Sequence, residues 1–283
     1  QQYPVVDLEK GGSRIERKEP VTLPLRVVVA AMVSPVAAHE HYSKMVERIG
    51  ELAGRAVEFR LGETYRAVNA DLLEGKVDFA FLCTGGYLAL KKLSPSIKPL
   101  CVPRINGSLT YRSYVIVRAK SGANDISDLR GKRFAFTDPL SQTGCIWPRY
   151  LVARLGTPAE EFFSSITYTS SHDRSIRAVS LGVVDGAAVD SLVFDEMASK
   201  NPKLADSVRI ISRSPEFGMP PVVASPAVPE SLRSRLQAVM LGLHEDEKAS
   251  EYMKQIGIER FEIPPDGLYE SAEKVFGQAS LSP

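Results

Sequence analysis

FTDPLSQTGCIW, residues 136–147, runs from an apolar strand end through an Asp-Pro turn and two hydroxyls bracketing Gln142 to a glycine and a helix start. Strand, short polar loop, helix is the joint of a βα unit. The same order recurs in MVSPVAAHEHY at 32–42, LGETYRA at 61–67 and SSHDRSIRA at 170–178. At the carboxyl ends of strands, helix N-termini present unpaired N–H groups and the positive end of a dipole, which suits a small anion. In 136–147, Ser141 and Thr143 can turn hydroxyls toward the oxyanion that the backbone N–H groups near Gln142 to Cys145 contact. Gly144 lets the chain approach closely. On the competing reading Ser141 only caps the helix and Asp138-Pro139 only turns the chain. The loop lacks Gly-x-x-x-x-Gly-Lys-Ser/Thr, which argues against a nucleotide triphosphate.

Outward from this loop, short apolar runs alternate with helical periods over the whole chain. Strands are predicted at Leu25 to Met32, Ala56 to Leu61, Asp78 to Leu82, Ser113 to Arg118, Arg133 to Thr137, Ser165 to Tyr168, Gly186 to Val189, Val208 to Ser212 and Pro221 to Ala224. Nine strands exceed one comfortable sheet. Tyr42, Met45, Val46, Ile49 and Leu52, and again Ile176, Val179 and Leu181, keep helical spacing. Helices are also predicted in VPESLRSRLQAVMLGL (228–243) and PPDGLYESAEKVFG (264–277), after the last predicted strand. The expected fold is therefore α/β with two lobes, each a mainly parallel sheet with helices on both faces, and a cleft between them. The first lobe is 1–110 plus 222–283, and the second is 111–221.

The 283 residues are 44% hydrophobic, enough for one large core or two medium ones. Lys plus Arg (35) and Asp plus Glu (34) nearly cancel, so no basic field draws nucleic acid or an acidic membrane. The longest apolar runs, such as Val27 to Val33, have strand length, which argues against membrane insertion. No signal peptide is visible, and a start on the polar stretch Gln1 to Pro20 suggests processing or trimming.

Catalytic signals are weak. His39 and His41 lie two apart and do not share a helix face, so no metal site is expected. His244 stands alone. His172, at a predicted helix start, can donate to an anion or be simply solvated, with Ser171 or Asp173 as the cap. No Gly-x-Ser-x-Gly elbow or base serves Ser141. Cys83, Cys101 and Cys145 form an odd set that cannot be a disulfide framework; Cys83 or Cys145 can serve as a nucleophile, and any of the three reads as a small buried hydrophobe. Tyr65 and Tyr111 can reach a cleft. Asp190 can accept a ligand proton or cap the next helix. No cofactor is expected.

Together, RVVVAAMVSP (26–35), ETYRAVNADLLEGKVDFAFL (63–82), the run from Gly107 to Gly144, SSHDRSIRAVSLGVVDGAAVDS (170–191) and FGMPPVVAS (217–225) resemble the PhnD-like periplasmic binding proteins. The resemblance covers roughly Leu25 to Gly257 and implies two lobes that close on a phosphonate, phosphite or phosphate-like oxyanion. Ser141 and Thr143 match the hydroxyl pair of the family's Asp-Pro-x-Ser-Thr-Ser-Gly loop, with Gln142 in place of Thr and Gly144 closing the motif. His172, Tyr65 and Tyr111 match its cleft residues, and Asp190 resembles an acid near the ligand's protonated oxygen. Met219 stands where aminoethylphosphonate binders have an acid. FLCTGGY (81–87) departs from the usual loop and puts Cys83 and Thr84 at the mouth of the first sheet. A cysteine there is similar to the arsenite-binding AioX-type branch, provided that Cys83 is not paired with Cys101. The implied protein is a periplasmic or lipid-anchored binding protein, not an enzyme. Its implied partners are a small oxyanion and an ABC transporter permease or a sensor histidine kinase. The alternative is an enzyme on the same two-lobe fold acting on a small anion.

Overall fold

The computed structural model describes residues 23–30 and 35–279, with side chains from Tyr42 onward in the second stretch. The N-terminal stretch to Pro20, the predicted strand end at Met32, residues 32–34 of the stretch 32–42 and the side chains of His39 and His41 lie outside the described residues.

The chain opens with β1 (Leu25–Val29), α1 (Pro35–Ala53), β2 (Val57–Leu61), α2 (Tyr65–Leu73), β3 (Phe79–Phe81), α3 (Thr84–Leu93) and β4 (Pro99–Arg104). It crosses over at β5 (Thr110–Tyr111) into β6 (Ser113–Arg118) and β7 (Arg133–Phe136), followed by a π-turn, Gln142–Ile146, that runs straight into α4 (Trp147–Ala153). Then come α5 (Ala159–Phe162), β8 (Ser165–Tyr168), α6 (His172–Ser180), β9 (Gly186–Asp190), α7 (Ser191–Lys200), α8 (Pro202–Ser207) and β10 (Val208–Arg213). The return crossing is β11 (Phe217–Gly218), leading to β12 (Val222–Ala224), α9 (Glu230–Gly242), α10 (Glu247–Gln255), β13 (Arg260–Glu262) and α11 (Glu270–Gln278).

Two sheets result, ordered β13-β4-β12-β3-β1-β2 and β10-β6-β9-β7-β8. Each is sandwiched by helices, and alternation along the strands decides the layers. In β1, Val27 and Val29 pack with Met45, Val46 and Ile49 of α1, while Val28 faces Val68 and Leu72 of α2. In the second sheet, Val115, Val117, Phe134 and Phe136 face one way and Ile116, Ala135 and Ala187 the other. Strands buried on both faces read as continuous apolar runs, which is why β1 is legible as VVV.

The two-lobe α/β architecture is the one expected, but the ladders are mixed. Parallel pairing holds β3-β1-β2 and β9-β7-β8. Antiparallel pairing joins β12 to β3 and β4, β13 to β4, and β6 to β9 and β10. Of these, β4, β6, β10 and β12 flank the crossings, while β13 adds to the edge of the first sheet from the C-terminal tail. Four strands escaped the sequence. β4 contains Pro99 and Pro103, which read as strand breakers. β13 lies in a helical tail, and β5 and β11 are two residues each, too short to show a period.

The crossings pair with each other, Tyr111 against Phe217 and Thr110 against Gly218, so a two-stranded ribbon links the lobes. Beside it, Ala272, Val275 and Phe276 of α11 join one apolar cluster with Tyr87 and Leu88 of α3, Phe217, and Ile146 and Trp147 of the second lobe. None of the described helices is long and apolar enough to cross a membrane.

Candidate ligand-binding site

Five strand-to-helix joints converge between the sheets. α2 begins at Tyr65 after Thr64, whose Oγ1 accepts from Ala67 N–H at 3.1 Å. α3 begins after Cys83 and α6 after Ser171, and neither side chain caps its helix. Asp190 caps α7, accepting from Leu192 N–H at 2.7 Å and from Val193 N–H at 3.4 Å. Ser141 accepts from Gly144 N–H at 3.0 Å and so caps the π-turn. π-turns recur at functional sites.

The lobes touch along this seam. Tyr65 N–H, on the first lobe, donates to Asp138 Oδ2 of the second at 3.2 Å. At Gly85, an added Cβ would stand 2.2 Å from Leu140 O and 2.9 Å from Gln142 N, so only glycine lets α3 approach this closely. Gly144 has a similar role inside the second lobe, since a Cβ there would fall 1.6 Å from Thr137 Oγ1 and 3.0 Å from His172 Cε1.

All ten residues singled out in the sequence are buried here: Tyr65, Cys83, Thr84, Tyr111, Ser141, Gln142, Thr143, Gly144, His172 and Asp190. Their hydrogen bonds divide them. Tyr111 Oη donates to Thr84 Oγ1 at 3.0 Å, and Thr84 donates to Gly218 O at 2.8 Å, which ties both to the hinge ribbon. Ser141 is occupied as a cap. By contrast, Tyr65 Oη, Thr143 Oγ1, both amide atoms of Gln142 and Ser171 Oγ are buried with no partner. Ser171 stands in SSHDRS as a cap candidate, and nothing local to that stretch shows that its hydroxyl is left unpartnered.

His172 Nδ1 accepts from Asp190 N–H at 3.1 Å, which leaves the ring proton on Nε2. Burial lowers the His172 pKa to about 3, so the ring is a neutral donor. Burial pushes Asp190 up to about 7, against the pull of the Leu192 and Val193 amides. The Asp138 carboxyl is raised by burial as well. At Cys83, burial raises the thiol although the amides of Gln142, Gly85 and Gly86 pull it down. Tyr65 and Tyr111 are held well above the ordinary phenol value by the same desolvation. The enclosure thus favours neutral groups. Arg149, the buried cation among the described residues, lies beyond the π-turn and donates to Cys145 Sγ, Glu160 and Tyr168.

The three thiols are free. Cys101 sits in the first lobe's core with its Sγ 3.4 Å from Met240 Sδ, whereas Cys83 packs with Tyr65 and Leu140 at the seam. Cys145 is packed in the second lobe's core, the bland alternative for that residue. His244 stands apart, beside Glu245. Among the described residues, no group of three His, Cys, Asp or Glu side chains could hold a metal ion.

The fold is shared with a binding protein component of an ABC phosphonate transporter from Pseudomonas aeruginosa, at a TM-score of 0.81 and 17% identity, covering 89% of this chain and 85% of that one. PhnD1 of Prochlorococcus marinus, in complex with methylphosphonate, superposes at a TM-score of 0.78 and 18% identity over 89% of this chain and 96% of that one. By sequence, the phosphate-import protein PhnD of Mycolicibacterium smegmatis is 28% identical over 191 residues, which make up 64% of this chain and 59% of that protein. The matches span 38% to 59% of the length of the curated relatives. Residues 27–269 match the family described as ABC transporter, phosphonate, periplasmic substrate-binding protein. Two sheets joined by a paired crossing, helix starts meeting at the seam and a family match over most of the length agree, and the chain belongs to that family of periplasmic binding proteins.

Proposed function

We propose that this protein captures a small phosphorus oxyacid between its lobes and presents it, closed, to an ABC importer. The observation that carries the reading is the set of buried, unpartnered polar atoms on residues at the strand-to-helix joints: Tyr65 Oη, Gln142 Nε2 and Oε1, Thr143 Oγ1 and Ser171 Oγ. Leaving such atoms without partners costs about 1–3 kcal/mol each, and an enclosed oxyacid supplies the partners. The positive dipole ends of α3 and α6, neither capped by a side chain, and His172 Nε2–H support the same reading. The reading takes lobe boundaries at 110/111 and 221/222, next to the paired strands β5 and β11.

Electrostatics narrow the ligand. Among the described residues the buried donors at the seam are neutral and Asp190 is itself an acid, so a fully ionised dianion would meet repulsion with only the exposed Arg66, whose charge reaches Asp138, to offset it. A singly charged acid meets less, and a neutral acid none. Met219, buried in the hinge cluster, offers no acid for an ammonium, so aminoethylphosphonate is expected to bind weakly.

Cys83 favours a second reading, in which the ligand is arsenite and the reader is a sensor kinase. The thiol is free and buried at the seam beside Tyr65. Arsenous acid is neutral and its arsenic condenses with a thiol: an As–S bond forms, an As–O bond breaks, and the sulfur proton leaves with the hydroxyl as water. Neither As nor S is oxidised. The enzyme alternative loses support, because His172, its best general base, is held near about 3 with Nδ1 occupied.

A thermal-shift panel on the reduced protein tests the reading, using phosphate, phosphite, methylphosphonate, aminoethylphosphonate, arsenate and arsenite. A ligand at about 100 times its dissociation constant stabilises by about 2.7 kcal/mol. Shifts with phosphorus oxyacids support the importer reading. A shift with arsenite alone, lost in Cys83→Ser, moves the assignment to the second. No shift with any of the six overturns both.

A further inference from the structure

Gln142 is 0% exposed, yet neither amide atom has a partner. Its backbone N–H faces Cys83 and lies 2.9 Å from the place a Cβ on Gly85 would take, so the residue sits on the seam itself. The unpartnered groups of Tyr65, Thr143 and Ser171 at these joints are hydroxyls, and a hydroxyl rotates to donate or accept as required. A carboxamide does not. Whichever way the amide is turned, it presents one fixed donor and one fixed acceptor side by side. A fully ionised oxyanion would satisfy the donor but set a lone pair against Oε1, leaving the acceptor uncompensated in a closed space.

We propose that Gln142 is a specificity residue that reads a protonated edge of the ligand: Nε2–H donates to one oxygen while Oε1 accepts from an adjacent hydroxyl on the same central atom. This deepens the reading that a small oxyacid occupies the seam and rests on it. The ligand class becomes oxyacids bound with at least one hydroxyl proton in place, singly protonated phosphorus acids or neutral arsenous acid.

Two probes of equal charge and nearly equal size separate the hydroxyl from everything else. Methylphosphonate monoanion carries P–OH where dimethylphosphinate carries P–CH3, and both are singly charged at mildly acidic pH. Calorimetric titrations would compare wild type, Gln142→Leu and Gln142→Glu, each first shown by its melting curve to be folded. The wild type is expected to prefer methylphosphonate, and Gln142→Leu should shrink that preference by about tenfold, the loss of one hydrogen bond to a buried partner. Gln142→Glu keeps the shape and the acceptor and should keep the preference, since an added charge weakens both monoanions alike. An unchanged preference in Gln142→Leu, or its loss in Gln142→Glu, overturns the proposal even though oxyacid binding persists. Absence of binding by the wild type to these probes and to phosphate, phosphite and arsenite would instead remove the oxyacid reading, and this inference with it.

Discussion

Asp190 and His172 are adjacent at the seam and titrate in opposite senses. Asp190 rises from an ordinary 3.8 to about 7, so its contribution to stability is full below about 4 and is lost as the pH rises through about 7. His172 falls from 6.5 to about 3, so its contribution is present above 6.5 and is lost as the pH falls toward about 3. Between these limits, unfolding releases one proton and takes up another, and the two slopes of about 1.4 kcal/mol per pH unit cancel. Asp190→Asn, which keeps the helix cap, should remove one slope. Denaturant unfolding of the ligand-free proteins is expected to show the variant losing stability relative to wild type as the pH falls from about 6.5 to about 4. Parallel curves would show that Asp190 is not buried as an acid. The two loop hydroxyls should separate by another route. Ser141→Ala removes the cap on Gly144 N–H and is expected to cost about 1 kcal/mol of stability. Thr143→Ala, whose hydroxyl is unpartnered without ligand, is expected to leave the melting point near wild type and weaken oxyacid binding by about 1–3 kcal/mol. Equal effects of the two on binding alone would contradict this division.

Among the elements, the first turn of α3 decides whether the lobes can meet. Gly85 lies in a helix, where alanine is preferred by up to about 1 kcal/mol, so Gly85→Ala should not harm the first lobe. Across the seam, however, the new methyl would lie 2.2 Å from Leu140 O of the second lobe. The expected outcome is preserved or raised thermal stability without ligand, at least about tenfold weaker oxyacid binding, and scattering profiles that fail to contract on adding ligand. Wild-type affinity in this variant would show that α3 and the Leu140 loop do not close against each other in solution.

For the molecule as a whole, closure and stability share one apolar cluster. α11 brings Ala272, Val275 and Phe276 against α3, Phe217 of the hinge, and Ile146 and Trp147 of the second lobe. Phe276, 4% exposed, should cost about 3–5 kcal/mol when truncated to alanine. Because the cluster spans both lobes, that loss is expected in a single cooperative unfolding transition rather than in one lobe's partial melting. Two separate transitions in wild type would show that the lobes fold independently of α11.

Local pattern was enough for much of this architecture. β6 and β8 occupy the predicted residues because β-rich runs there end at clear polar breaks. β4, β5, β11 and β13 carry prolines, a helical context or no period, and only their ladder partners make them strands. The candidate site was legible for the same local reason, since every named residue from Tyr65 to Asp190 stands within a few residues of a strand's end or at the crossing. What local pattern cannot contain is which polar groups are already used. Thr84 is bound to Gly218, 134 residues away, and Tyr111 to Thr84, 27 away, while Gln142 and Thr143 remain open. The sequence by itself therefore determined the two-lobe class and the set of helix starts, because both follow from periodicity and spacing. Only the tertiary structure decided which members of that set keep an unpartnered polar group, because hydrogen-bond satisfaction depends on contacts between distant segments.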